Sequence, residues 1–581
     1  MAESFFTPPR TIKRRSVSKR LIDAPADLHP VLARIYAGRN LHSYTELSTS
    51  LAELPRPGLL KGVSAAVQIL QVAISHENRI LILGDFDADG ATSCALTVLA
   101  LKAMGAVHTD YLVPNRFEYG YGLTPQIVTE AAKRKPDVIV TVDNGISSVN
   151  GVDAAHELGM KVIVTDHHLP GSALPAADAI VNPNQPGDGF PSKNLAGVGV
   201  IFYVLSALRA ALRDSGWFSQ KNIAEPNMAR YLDLVALGTV ADVVPLDRAN
   251  RTLVAQGLAR INAGQCRPGV RALLELGKRQ LGQIVASDLG FALGPRLNAA
   301  GRLDDMSLGI RCLLSDNEDE VWRIAQELDE LNITRRKIET GMKEQALALL
   351  PTLGLEGLLP AGLCLFGEDW HQGVIGILAS RVREQTHRPV IAFAPGLEGE
   401  IKGSARSIEG LHIRDVLDAV ATSHPGLLEK FGGHAMAAGL SLKREQFDDF
   451  KTAFIIEVER HLDGQVLENT ILSDGELSEA DLGIEFAETL RQAGPWGQAF
   501  AEPTFDGIFQ VLQQRVVGQR HVKMVLQRQH SDQQIDAIGF NLAPEGQLPE
   551  WDQVHAAYRL DVNIYNGRRS AQLIIEHMEP C

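Results

Sequence analysis

Three short groups of acidic and imidazole side chains each follow directly on an apolar run of strand length. Leu81-Ile82-Leu83-Gly84 leads into Asp85-Phe86-Asp87-Ala88-Asp89-Gly90, Val138–Val142 into Asp143-Asn144-Gly145, and Val162-Ile163-Val164-Thr165 into Asp166-His167-His168. Packing asks for no polar residue at the tip of such a strand, whereas a metal or phosphate site at a sheet edge does. Carboxylates crowded at one edge repel one another and raise one another's pKa unless a cation compensates them. Hard oxygen donors joined by one or two imidazoles suit Mg²⁺ or Mn²⁺, with two ions sharing one carboxylate a natural arrangement. A single Asp at a strand end also reads as the N-cap of the next helix, which stays open for Asp89 and Asp143. Three strand ends of this kind in succession favour the metal.

Such groups meet only if the elements before them share a sheet. Strands are expected over Arg79–Gly84, Tyr111–Pro114, Asp137–Val142 and Lys161–Thr165. Helices are expected over Ala91–Met104, Pro125–Lys135 and Ser148–Leu158, an alternation that predicts a parallel sheet covered on both faces. In a parallel sheet all three polar tips lie on the carboxyl edge, where such folds bind ligands. Val200–Arg213 and Met228–Leu237 read as further helices, and Asp316–Leu350 as a long, charged connecting helix closed by Pro351.

A smaller α/β unit follows, with strands at Gly362–Phe366, Val390–Ala394 and Ile401–Ser407 and helices at Gly373–Arg383, Leu411–Ala421 and Glu445–Leu462. Short strands near Arg515–Val517, Val522–Leu526, Ile535–Phe540 and around the Asn566-Gly567 turn predict a terminal β-barrel. The expected division is therefore a basic N-terminal tail and lead-in over residues 1–50, a catalytic domain over 51–315, the connecting helix over 316–350, a second α/β domain over 351–465 and the barrel over 466–581.

At 581 residues the chain is too long for one core. Its formal net charge of −14 excludes a protein coated in positive potential but not a nucleic-acid enzyme with a local basic groove. Five scattered cysteines without metal-ligand spacing point to a reduced, cytoplasmic protein, and no apolar run is long enough to span a membrane. The basic stretch Arg10–Arg20 reads as a solvated, partly disordered tail.

The acidic groups, taken with Pro114-Asn115-Arg116, Ala241-Asp242-Val243-Val244-Pro245-Leu246 and Gly432-Gly433-His434-Ala435-Met436-Ala437-Ala438-Gly439, resemble the motifs of the DHH phosphoesterase family. The resemblance runs over nearly the whole chain from about residue 50. It implies a DHH domain, a DHH-associated domain and an oligonucleotide-binding (OB-like) barrel. It further implies Asp85, Asp87, Asp143, His167 and Asp242 as ligands of Mg²⁺ or Mn²⁺, with Asp143 as the bridge. Asp89, Asp166 and His168 complete the expected catalytic set: Asp89 as ligand or turn holder, Asp166 orienting an imidazole, and His168 as ligand, phosphate contact or proton donor.

A clamp for a terminal 5′-phosphate is implied on Arg116, Arg296, Arg302, Arg381, Ser404, Arg406, Gly433 and His434. Ser404 and Arg406 lie two apart on one strand and so face the same way. A glycine pair that caps a helix is the competing account of Gly432-Gly433. Tyr119 and Tyr121 are expected to stack on bases or to lie in the core. Within the family the chain is most similar to the exonucleases that cut single-stranded DNA from a free 5′ end to mononucleotides in repair and recombination. This similarity implies a monomer working beside a single-strand-binding protein and a RecQ-type helicase. The alternatives are a phosphodiesterase of short oligonucleotides or cyclic dinucleotides, and a non-catalytic DNA-binding relative.

Overall fold

Five strands of the first domain pair in parallel: β1 (Arg79–Leu83), β2 (His108–Leu112), β3 (Val138–Val142), β4 (Lys161–Thr165) and β5 (Ala179–Val181), in the order β2-β1-β3-β4-β5. Ile80–Leu83, Val138–Val142 and Val162–Val164 are buried along their whole length, as a parallel sheet covered on both faces requires. The order reverses between β1 and β3, which opens the carboxyl-edge crevice that such sheets use for ligands. The computed structural model describes residues 10–17, 20–115, 122–353, 359–397, 399–433, 435–462, 469–518, 520–543, 551–565 and 567–581. Arg116, Tyr119, Tyr121, His434 and Asn566 lie outside the described residues.

Helix α1 (Ala88–Ala103) starts directly on the first acidic group, with Asp87 as its N-cap. It is almost wholly buried, because α2 (Gly197–Asp214) and α3 (Leu232–Ala241) pack against it in addition to the sheet. The sequence pattern starts α2 three residues late, at Val200. The missed turn is Gly197-Val198-Gly199, whose low helix propensity is overridden by packing. The edge strand β5 and most of β2 are also missing from the pattern, since short edge strands carry little apolar signal.

The chain divides into two units. Of the described residues, the larger holds those of Ile12–Asn298, Asp305–Leu328 and Ile471–Cys581; the smaller holds Arg10–Thr11 and those of Ala299–Asp304 and Asp329–Thr470. Helix α4 (Gly294–Leu303) and the 36-residue helix α5 (Glu318–Leu353) each contribute to both. In the smaller unit, β6 (Leu363–Phe366), β7 (Val390–Pro395), β8 (Glu400–Arg406), β9 (Lys430–Gly433) and β10 (Ala437–Lys443) form a mixed sheet in the order β9-β10-β8-β7-β6. Helix α6 (Ile375–Thr386) packs on β7 and β8. The glycine-rich stretch is a strand pair, Gly432 facing Gly439 and Gly433 facing Ala438, and caps no helix.

In the larger unit β11 (Phe505–Val517), β12 (His521–Arg528), β13 (Gln534–Gly539), β14 (Gln553–Tyr565) and β15 (Arg568–Pro580) close a barrel in the order β11-β12-β13-β15-β14. Only β13 and β15 run parallel. The basic N-terminal stretch is not a wholly solvated tail. Arg14 reaches Asp506 of β11 at 2.7 Å, the Arg15 N–H donates to the Ser473 carbonyl at 2.8 Å, and Arg39 is buried on Asp474 at 2.6 Å. A local run of positive charge cannot reveal acidic partners more than four hundred residues away.

Candidate metal centre and phosphate clamp

Each strand tip is fixed by backbone pairing one residue beyond the strand. Gly84 N–H donates to the Leu112 carbonyl at 3.1 Å, Asp143 N–H to Thr165 at 3.0 Å, and Asp166 N–H to Val181 at 3.1 Å. The Asn144 amide donates to the Leu83 carbonyl at 3.2 Å and the Val142 carbonyl at 2.9 Å, tying the ends of β1 and β3 together. Asp143 adopts φ 64°, a left-handed conformation that turns its side chain back over the sheet edge at some cost in backbone strain.

The remaining ligand candidate arrives through helix packing. Asp242 is the C-cap of α3, and α3 approaches α1 at Gly238, where a Cβ would stand 2.3 Å from Thr92 Oγ1 and 2.8 Å from Asp89 Oδ1. At the start of α2, Gly197 leaves room for Asp143, whose Cβ would lie 2.5 Å from any Cβ there. Asp89 is fully buried and accepts the N–H groups of Gly197 at 2.6 Å and Val198 at 3.0 Å, so it caps α2 from the neighbouring helix. Neither glycine is singled out by the sequence reading. The run Leu195-Ala196-Gly197-Val198-Gly199 is the signal that marks such a close approach.

Asp143 Oδ1 lies 3.1 Å from His167 Nε2, and Asp242 Oδ2 lies 3.4 Å from the same nitrogen. Three overlapping groups each place their ligand atoms within 4.8 Å of one another: Asp85 with Asp87 and Asp143; Asp143 with His167 and His168; and Asp89 with His167 and Asp242. Burial, then the charge of Asp242, pushes the Asp89 carboxyl up to about 7, and burial, then Asp87, pushes Asp242 up to about 7. Asp143 is raised well above the carboxylate range by burial and its acidic neighbours. Burial and the adjacent His168 hold the His167 imidazole below its ordinary value, in the neutral form that binds metals. His167 Nε2 and Asp242 Oδ2 are buried without a hydrogen-bond partner. A buried polar atom left this way is costly, and a divalent cation at the centre of the cluster satisfies both. The residues therefore fit Mg²⁺ or Mn²⁺.

Asp166 supports the other imidazole. Its Oδ1 is 2.7 Å from His168 Nδ1 and accepts the His167 and His168 N–H groups, while its Oδ2 accepts Ile146 N–H at 2.9 Å. Burial opposes charge on this pair, but their mutual attraction prevails: Asp166 falls well below the carboxylate range and His168 rises to about 10. Asn182 and Asn184, unnoticed in the sequence, donate to the His168 and His167 carbonyls at 2.9 and 2.6 Å. Asn298 accepts Ala88 N–H at 2.7 Å beside the first acidic group.

In the smaller unit Ser404 and Arg406 emerge on one face of β8, and Arg406 donates to Ser404 Oγ at 3.0 Å. Both crowd the first turn of α6. A Cβ at Gly376 would lie 2.7 Å from the Arg406 guanidinium and 2.9 Å from Ser404 Oγ. Arg302 donates to the Gly373 carbonyl at 3.1 Å, just before the same helix. Guanidinium groups, a hydroxyl and a helix N-terminus around one glycine form an arrangement suited to a phosphate. Gly433 stands on β9 at φ 145°, and Gly439 pairs with Ser404 on the flank of this group. Lys402, on the same face of β8, goes unnoticed in the sequence. Two expected arginines are engaged elsewhere. Arg296, in the larger unit, is buried and donates to the Ala292 and Leu276 carbonyls, and Arg381 is paired with Glu339 and Glu384 at 3.0 Å each.

A doubly wound sheet with buried acids at its switch point, a second α/β domain and an OB-type barrel define a metal-dependent phosphoesterase of the DHH class. Family models agree: the DHH family N-terminal domain matches residues 79–239, the DHHA1 domain 359–459 and the RecJ OB domain 473–577. The single-stranded-DNA-specific exonuclease RecJ of Dickeya dadantii is 55% identical over 98% of this chain and 99% of its own length. That of Escherichia coli is 54% identical over the same shares. The crystal structure of Thermus thermophilus RecJ with Mn²⁺ superposes with a TM-score of 0.78 at 30% identity, covering 95% of this chain and 76% of that one. The chain belongs to the RecJ family.

Proposed function

We propose that this chain is a metal-dependent exonuclease that degrades single-stranded DNA from a free 5′ end to 5′-mononucleotides, in DNA repair and recombination. The buried acid cluster, with His167 Nε2 and Asp242 Oδ2 facing inward without hydrogen-bond partners, carries the reading. It is supported by relatives that are single-stranded-DNA-specific exonucleases and by a T. thermophilus relative crystallised with Mn²⁺ and with Mg²⁺. When two such ions are bound, they supply Lewis-acid stabilisation of the phosphodiester and activate water for in-line attack. Asp143, which belongs to both the Asp85–Asp87 group and the His167–His168 group, would be one of the residues that hold these ions. Asp85, Asp87, His167 and Asp242 complete the ligand set. Asp89, itself grouped with His167 and Asp242, also caps the start of α2, and Asp166 fixes the ring of His168.

In this reading Arg302, Ser404 and Arg406, with Arg116, Gly433 and His434, hold the terminal 5′-phosphate and set the direction of digestion. Domain limits at 51–315, 316–350, 351–465 and 466–581, a monomeric state, a cytoplasmic location and work beside a single-strand-binding protein and a RecQ-type helicase belong to the same proposal. No single helix among the described residues is long and apolar enough to cross a membrane, and four of the five cysteine thiols are buried and unlinked.

The test is a nuclease assay on matched strands with a 5′-phosphate, a 5′-hydroxyl or a hairpin-blocked end, in Mg²⁺ and in Mn²⁺. Release of mononucleotides from the open 5′ ends alone is expected. Activity confined to dinucleotides would sink the reading. Arg406→Ala should raise KM for the 5′-phosphorylated strand by about tenfold and leave the 5′-hydroxyl strand less affected.

A further inference from the structure

His167 and Asp242 reach the metal cluster on separate elements. His167 follows β4 and Asp242 ends α3, and their facing atoms, 3.4 Å apart, are both buried without a hydrogen-bond partner. With no hydrogen bond between the two side chains, their separation is set by the backbones that carry them.

One loop, residues 182–196, is bonded to both of those backbones. At its start Asn182 and Asn184 donate to the His168 and His167 carbonyls at 2.9 and 2.6 Å, and the Asn184 amide also donates to the Lys193 carbonyl at 3.2 Å, on the returning limb. That limb reaches the Asp242 side. Ser192 and Asn194 donate to Asp247 Oδ2 at 2.6 and 3.2 Å, and Asp247 caps the helix Arg248–Asn262 that follows the Asp242 segment. Asn250 of that helix is fully buried. Its amide donates to the Asn194 carbonyl at 2.6 Å and to the carbonyl of Pro245, three residues after Asp242, at 2.9 Å. The loop then runs into α2, whose first N–H groups bond to Asp89, the third member of the group formed with His167 and Asp242. A loop that merely satisfied its own polar groups would have no need to reach the backbones of all three. The Asp85–Asp87–Asp143 group is built instead on the tips of β1 and β3, which Asn144 ties together.

We infer that Asn184 and Asn250, acting through this loop, are positioning residues: they hold His167 and Asp242 against each other and so set the affinity of the metal site that these two ligands share. The inference rests on the metal reading of the cluster and on nothing about the substrate. Partners that orient metal ligands from behind are worth about 10–100-fold in metal affinity.

The test is Mn²⁺ binding to the metal-free full chain, followed by the electron paramagnetic resonance of free Mn²⁺ and by calorimetry. The wild type should bind two ions. Asn184→Ala and Asn250→Ala should each weaken one of the two by about 10–100-fold and leave the other within about twofold. The Mn²⁺ concentration for half-maximal cleavage should rise in step. In an Asp242→Asn background, which already lacks that site, Asn184→Ala should add no further loss. Gln185 provides the control for a merely structural role. It is buried in the same loop but donates to the Lys61 and Ile180 carbonyls, at 3.2 and 2.9 Å, rather than to a ligand candidate. Gln185→Ala should keep both wild-type affinities. Should the buried Asn250→Ala fail to fold, the half-buried Asn184→Ala decides alone. Wild-type affinity at both sites in Asn184→Ala would overturn the inference, as would equal weakening of both sites, further loss in the double variant, or weakening in Gln185→Ala. A wild type that binds no Mn²⁺ would overturn the metal reading and the inference together. The expected pattern of binding without strand cleavage would remove the exonuclease reading and leave the inference standing.

Discussion

Two sets of buried acids in the larger unit are built on opposite terms. At the sheet edge Asp85, Asp89 and Asp143 are buried with Asp242 beside them, and the ionisable groups gathered there are other acids and two imidazoles. At the barrel Asp474 and Asp506 are as deeply buried, yet each has a guanidinium supplied by the chain's own N-terminal segment, Arg39 and Arg14. The first group has its pKa values driven up; Asp506 has its value driven down, where burial is outweighed by Arg14, Ser473 and His555. The sheet-edge acids crowd one another and gain from a divalent cation, whereas Asp474 and Asp506, each matched by an arginine, hold the N-terminal segment to the fold. The distinction does not depend on burial, which the two groups share.

The sharpest way to break this comparison is to remove one acid from each place. Asp143→Ala should lower strand cleavage at least about a thousandfold and raise the melting temperature of the metal-free protein, because it relieves repulsion. A lowered metal-free melting temperature would show that Asp143 is structural. Asp474→Ala should do the reverse. It strands the buried Arg39 and costs about 3 kcal/mol of stability by denaturant titration, with cleavage per folded molecule retained. An Asp474→Ala protein of unchanged stability would contradict the structural account.

Opposite pH slopes should follow. Asp89 and Asp242 titrate near 7 in the folded chain, against roughly 4 when unfolded. Between those values the metal-free folded state holds protons that the unfolded state does not, so stability falls as pH rises through that window. Asp242→Asn should flatten this slope, and saturating Mn²⁺ should reverse it. The depressed Asp506 contributes stability that is fully present above its unfolded value and is lost as pH falls through its folded value. Asp506→Asn should therefore flatten only the acid limb, at a cost of about 1 kcal/mol near neutrality. Coincident slopes for the two variants would erase the distinction.

The strand tips were legible because apolar runs that end in acids are a local pattern of period and composition. This made Asp85, Asp87, Asp143 and the Asp166-His167-His168 triplet visible, together with the parallel sheet that aligns them. The supporting residues were not legible in the same way. Gly197, Gly238 and Asn298 act by close approach or by hydrogen bonds to elements distant in sequence, and no local pattern encodes the partner. Arg296 and Arg381 illustrate the converse: their residue type suits a phosphate, but the carbonyls and glutamates that engage them are set by packing.

By itself, then, the sequence determined that three acidic tips lie on one sheet edge, because a parallel sheet with its crossovers leaves no other place for them. Tertiary structure decided which acids share a centre and which are paid off by arginine. It carried Asp242 to His167 through the contact of α3 with α1, turned Asp166 toward His168 rather than His167, and folded the basic N-terminus onto the barrel acids. Those outcomes depend on distances between elements, and such distances are fixed only once the helices have packed.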